Sequence, residues 1–247
     1  MTFVGLLALA ATVLGTSILS GMFGMAGGLI LMGALLAFLP VPAAMALHGA
    51  AQLSANGWRA VLWRKHILWR TSAAYCVGGL IAVAIWSVIL FVPSRPLALI
   101  SLGLSPYLLM IAPARLQADP ARDRDGVLYG VACVSFMMLT GVAGPLLDSF
   151  FLKGGLDRRQ IVATKGVCQV FGHLAKIVYF GVLVDPVDFG DWPAFAVAIV
   201  VASIGTTLGG MALERMSNAD FRIWADRIIA TVCTWYVVHG LYLWLFA

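Results

Sequence analysis

Apolar residues run through this 247-residue chain in stretches of about 20, the length at which a helix crosses a bilayer with its backbone hydrogen bonds closed internally. The pattern predicts six such spans, at residues 43–63, 71–92, 97–113, 161–183, 193–213 and 223–246. Two further apolar regions, 3–38 and 126–152, are interrupted by glycine, as Gly24-Met-Ala-Gly-Gly28 and Gly141-Val-Ala-Gly-Pro145. Unbroken, the first would extend about 54 Å, well past the hydrocarbon core. Each region is therefore read as a helical hairpin, over 3–38 and 126–156.

The two hairpins begin two copies of one unit. Sliding the chain by 117 residues aligns 24–61 with 141–178 without a gap, and ten of the 38 pairs are identical, where chance in so apolar a sequence gives roughly one in ten. Identical pairs include Gly24/Gly141, Ala26/Ala143, Gly27/Gly144, Gly49/Gly166 and Gln52/Gln169. Polar residues that differ still coincide: His48/Lys165, Asn56/His173, Arg59/Lys176.

Cytoplasmic loops collect Lys and Arg, and this decides how the broken regions run. With each hairpin returning to its own side, Arg64, Lys65 and Arg70, the Arg115/Arg122/Arg124 loop, Lys153/Arg158/Arg159 and Arg215/Arg222 share one face. The other face holds only Arg95 and the acidic Asp185/Asp188/Asp191 loop. Single crossings would separate the basic loops of the two halves. The hairpin reading leaves three net crossings per half, an odd number, so the halves are inverted and both termini lie outside. The expectation is an all-α polytopic membrane protein of two inverted repeats, each a glycine-broken helical hairpin plus three spanning helices. The first repeat covers 1–113, a cytoplasmic linker 114–125, and the second repeat 126–247. The N-terminal run is kept in the fold, since no Lys or Arg precedes it and it has no small-x-small cleavage site.

Composition narrows the function classes. The chain is 62% hydrophobic and 11% charged with mean hydropathy +0.96, against about a quarter charged in a soluble domain. Its net charge of +5 is dispersed between apolar runs, which excludes a nucleic-acid module. Cys76, Cys133, Cys168 and Cys233 lie inside apolar stretches and read as small buried hydrophobes, with no metal or redox role.

The candidate chemistry lies at the breaks and on the spans that follow them. A helix break exposes unpaired N–H groups and the positive end of a helix dipole, and glycine allows a close approach of ligand to backbone. Gly24, Gly27, Gly28, Gly141 and Gly144 could instead serve helix packing alone; Pro145, which suits a helix's first turn, marks a true restart. His48, Gln52, Asn56 and Arg59 share one helical face, and Lys165, Gln169, His173 and Lys176 repeat it. Such a stripe avoids lipid. Arg59 and Lys176, near span ends, read most simply as snorkelling. Gln52 and Gln169 lie nearest mid-span and are the better ligand candidates; Lys165 and Asp148 either pair with each other structurally or serve as an anion ligand and a coupling carboxylate, and His48, Asn56 and His173 are candidates for the coupling pathway, the two histidines reading equally well as satisfied core residues. If coupling is to protons, Asp148 or His173 titrates.

The paired breaks Gly21-Met-Phe-Gly-Met-Ala-Gly-Gly28 and Thr140-Gly-Val-Ala-Gly-Pro145 carry a resemblance, together with the polar second span of each half and Gly205-Thr-Thr-Leu-Gly-Gly210 followed by Arg215 and Arg222. On these residues, nearly the whole chain resembles the sulfite exporter TauE/SafE family of bacterial membrane proteins. The first break departs from it, with Met25 and Ala26 where members are richer in glycine. The resemblance implies an eight-segment secondary transporter, with a small anion such as sulfite, an organosulfonate or an organic acid exported across the bacterial cytoplasmic membrane. Its partners are the anion and the lipid bilayer, with a homodimer as the candidate assembly and no cofactor. A passive anion channel is the alternative. An intramembrane enzyme is the rival from another class, but the chain has no G-x-S-x-G and its four histidines are dispersed.

Overall fold

The structure, a computed structural model, describes residues 2–23, 26–110, 119–151, 156–185, 192–213 and 218–246. Regular structure among the described residues is helical throughout: α1 (Phe3–Phe23), α2 (Ala26–Phe38), α3 (Val41–Leu62), α4 (Trp69–Ile89), α5 (Arg95–Met110), α6 (Asp123–Thr140), α7 (Gly144–Phe150), α8 (Arg158–Val178), α9 (Trp192–Leu213) and α10 (Asn218–Phe246). Local chemistry sets several ends. Pro42 suits the first turn of α3, and a capping box between Asp157 and Gln160 opens α8. A π-helical turn over Tyr179–Val184 prolongs α8, and α10 starts at Asn218, earlier than its apolar run suggests.

Among the described residues, five helices are long and apolar enough to span: α1, α4, α8 with its π turn, α9 and α10. α3 is 22 residues long but carries the polar stripe. The returning arms of the hairpins are short. α2 has 13 residues and α7 has 7, about 20 Å and 10 Å of helix, so neither crosses a bilayer alone. At the second break, Gly141 ends α6 in the left-handed conformation at φ 82°, and the Thr140 hydroxyl donates to the Val142 carbonyl and receives the Val142 N–H. The tip of the first break, Gly24 and Met25, lies outside the described residues.

Side-chain contacts fix the helix directions. Gly21 faces Thr206 and Gly209, while Gly205 faces Leu14 and Ser17, so α1 and α9 run parallel. Ser54 meets Ser203 at 2.6 Å and Trp58 lies by Thr207, so α3 runs parallel to α9. By the same reasoning α4, α6 and α8 run together: Ala74 faces Gly126 and Gly79 faces Val134, while Leu68 and Gly79 meet Thr164 and Phe171. The two sets are opposed, because α3 and α8 pack antiparallel, with Gly49 against Ile177 and Gly166 against Ala60. α5 and α10 are antiparallel as well, through Gly103 with Cys233 and Gly240 with Pro96. Arg64, Lys65, Arg70 and Arg159 gather at one end of the bundle, where Arg159 stacks on Trp63 and Arg70 forms a bidentate pair with Asp123. That hydrogen-bonded guanidinium holds the Asp123 carboxyl below its ordinary value.

Small residues form the closest seams. A Cβ on Gly130 would overlap the Tyr75 carbonyl oxygen, and one on Gly209 the Ile18 carbonyl oxygen. This is the usual way for helices in lipid to gain contact, since the solvent there supplies no hydrophobic drive. The outer surface is correspondingly apolar, with Val88, Trp192, Val200, Trp235 and Phe246 mostly exposed, while His48, Asn56, His173 and Lys176 are buried.

Gly130→Ala and Gly209→Ala should therefore each destabilise the detergent-solubilised protein by about 1–3 kcal/mol, the usual cost of overpacking. Gly210→Ala, with no atom within 4 Å of the added carbon, should be neutral or slightly stabilising. Thermal unfolding of the three variants is the check; equal melting of Gly130→Ala and the parent would contradict the seam.

Candidate membrane-interior binding site

The polar stripes of α3 and α8 meet because the two helices pack face to face along their length. Between them lies a small polar cavity. Its walls are His48, Gln52, Asn56 and Arg59 from α3, Lys165, Gln169 and His173 from α8, and Gly28, Val142 and Gly144 from the hairpins. Three pairs on opposite walls are the ones related by the 117-residue shift: His48/Lys165, Gln52/Gln169 and Asn56/His173.

Each polar group has a defined environment. The Arg59 guanidinium donates to the Ser20 carbonyl and hydroxyl, both at 3.0 Å, which anchors α3 to the first hairpin. The Asn56 amide donates to the Gln52 carbonyl at 2.8 Å. Lys165 forms an ion pair with Asp148 of α7, and both are partly exposed. No hydrogen bond within the described residues engages the Gln52 or Gln169 side-chain amide, and the Gln52 amide lies over Gly28. The His173 ring, 5.6 Å from His48, has a buried Nδ1 with no partner among the described residues.

Lys176 does not snorkel. It is completely buried, and its Nζ lies 2.8 Å from His48 Nδ1 and 2.7 Å from the Gly141 carbonyl oxygen. His48 Nε2 is 3.0 Å from the Gly28 carbonyl oxygen. A carbonyl only accepts, so Nε2 carries the hydrogen and Nδ1 is the acceptor for Lys176. This chain of bonds ties the first break to the second. Arg59 also departs from the snorkelling expectation, turning inward to line the cavity.

The remaining sequence candidates fall near the cavity without lining it. Gly27 packs on α1, where a Cβ would overlap the Thr16 carbonyl oxygen; Gly141 contributes its carbonyl to Lys176; Asp148 acts through Lys165. Gly24 lies outside the described residues. Arg59 and Lys176 were the site residues undervalued in the sequence, although their alignment in the repeat was the available signal.

An apolar exterior around a buried, cation-rich cavity defines a multi-pass membrane protein with an internal polar site. The sequence model of the sulfite exporter TauE/SafE family matches residues 7–235, and the chain belongs to that family, a family of membrane transporters. No curated protein and no solved structure matches the chain.

The Lys165–Asp148 pair gives a test of the site's electrostatics. Lys165→Met should cost more stability than the Lys165→Met/Asp148→Asn double variant, because the single change leaves a carboxylate unpaired. A coupling energy of about 1–3 kcal/mol in the thermodynamic cycle is the expected result; additivity would show the pair to be incidental.

Proposed function

We propose that the protein is a secondary transporter that exports a small anion, such as sulfite, an organosulfonate or an organic acid, across the cytoplasmic membrane. The anion binds in the α3/α8 cavity. The observation that carries this reading is the charge on the cavity wall: Arg59 and Lys165 line it and, among the described residues, only Asp148 opposes them. A bilayer interior penalises such an excess of cations unless an anion offsets it. The uncommitted amides of Gln52 and Gln169 are the neutral donors that complete a coordination shell.

Gly28 and Gly144 let the anion approach the backbone at the two breaks, while Gly24, Gly27 and Gly141 shape the breaks. Asp148 holds Lys165 in the empty site and gives it up to the anion. His48, Asn56 and His173 flank the path. The opposed directions of α1 and α6, the first helices of the two copies, support an inverted repeat with its binding site near the midplane, an arrangement suited to alternating access. The basic end of the bundle supports a cytoplasmic position for residues 64–70, with both termini outside.

Removing one amide that bonds a charged ligand costs about 1.5–3 kcal/mol, so Gln52→Ala and Gln169→Ala should each weaken anion binding by roughly tenfold or more. Affinity for sulfite and simple sulfonates in folded, purified protein reads this out. Unchanged affinity in both variants would move the site elsewhere. In liposomes, saturable uptake accelerated by anion on the far side is the expected signature of a carrier, whereas non-saturating flux without exchange would make the protein a channel.

Orientation is tested by single cysteines in a background lacking the four native ones. Residue 66 should label only from the cytoplasmic side and residue 185 only from outside. The reverse pattern, or labelling of both from one side, would contradict the arrangement.

A further inference from the structure

Lys176 is a buried amine whose hydrogen bonds match its neutral form. A neutral amine has two N–H groups and a lone pair, an ammonium three N–H groups. Two acceptors face Lys176, the Gly141 carbonyl and His48 Nδ1, and no carboxylate lies within ion-pair distance among the described residues. The other titratable groups around it do not supply a counter-charge. His48 comes from α3 and His173 from its own helix; Arg59 and Lys165 are cations. Asp148 of α7 is engaged by Lys165, and Tyr179, one turn further along, donates its hydroxyl to the Phe91 carbonyl. An ammonium here would be a buried charge with one N–H unused, a costly state until an anion arrives.

We infer that the Lys176–His48 pair takes up a proton when an anion enters the cavity, so that anion and proton bind together. This rests on the transporter reading and adds the coupling group to it. In the empty site the Lys176 lone pair is free; on binding it accepts a proton from a solvent acid, hydronium or protonated buffer, reaching it by way of the cavity that His48 lines: an N–H bond forms at Nζ, the acid's bond to that proton breaks, and its conjugate base stays in solution. The proton then lies on Nζ or along the Nζ···Nδ1 axis, and the anion is its counter-charge. The same pair joins the Gly28 carbonyl of one break to the Gly141 carbonyl of the other, so its protonation is felt at both hairpins. The sequence pointed to Asp148 or His173 as the titrating group; the geometry favours Lys176.

Calorimetric titration of the purified full chain with sulfate and methanesulfonate, which exchange no proton near neutral pH, in buffers of different ionisation heat counts protons taken up per anion. The expected result is about one proton per anion, with affinity falling about tenfold for each unit rise in pH. Both effects should vanish in Lys176→Met and persist in Asp148→Asn and His173→Gln. Anion binding without proton uptake by the unaltered protein overturns the inference alone. So does uptake that is retained in Lys176→Met, or that disappears in Asp148→Asn or His173→Gln. If Lys176→Met fails to fold, the count in the unaltered protein and in the two other variants still decides. Binding of neither anion, nor of sulfite, overturns the transporter reading and this inference with it.

Discussion

A polar stripe on a membrane helix has no acceptable neighbour except another polar stripe, and the architecture follows from that exclusion. α3 exposes His48, Gln52, Asn56 and Arg59 along one face, and α8 exposes Lys165, Gln169, His173 and Lys176. Facing lipid, either set would lose its hydrogen bonds to a medium that offers none. Packed antiparallel, they enclose a polar cavity at the centre of the bundle, while the other helices wrap it in apolar surface. The hairpins close it with Val142 and with Gly28 and Gly144, the last two being positions where backbone can approach without a side chain between.

The two halves contribute the same positions but different chemistry. His48 stands where its counterpart is Lys165, Asn56 where it is His173, Arg59 where it is Lys176. Related residues therefore sit in unlike environments: Arg59 is tied to the Ser20 carbonyl and lines the cavity, whereas Lys176 is sealed between the second break and His48. Only Gln52 and Gln169 keep both position and chemistry, so a ligand midway between them meets equivalent amides from either side. The cations on the two walls, by contrast, are not equivalent: Arg59 and Lys165 stand at positions that the repeat does not relate.

Much of this was legible in the residue pattern. The glycine breaks gave two hairpins, and the i, i+4, i+8 spacing from His48 put four polar side chains on one face, seven of the eight stripe residues reaching the cavity wall. The stripe position of Lys176 was visible too, but its burial was not. That depends on the Gly141 carbonyl, set free by a left-handed helix end on a distant segment, and on His48 from α3. The short return arms were hidden for a related reason. Apolar composition continues through 126–152, yet α7 stops at Phe150 after seven residues. Hydropathy marks where a chain tolerates lipid, and helix length is decided by what the helix packs against.

The seams between the halves also set an order of assembly. α1 lies against α9, so it has to wait in the bilayer for a partner that follows about 170 residues later; its largely apolar 21-residue helix is self-sufficient there. α6 is less apolar and finds its partner α4 already in place. α3 has the harder wait, since its polar face gains its complement only when α8 emerges about a hundred residues later. During that interval the nascent chain carries an unsatisfied polar face, the stage at which lipid composition or an insertion chaperone has the most influence over whether the protein forms at all.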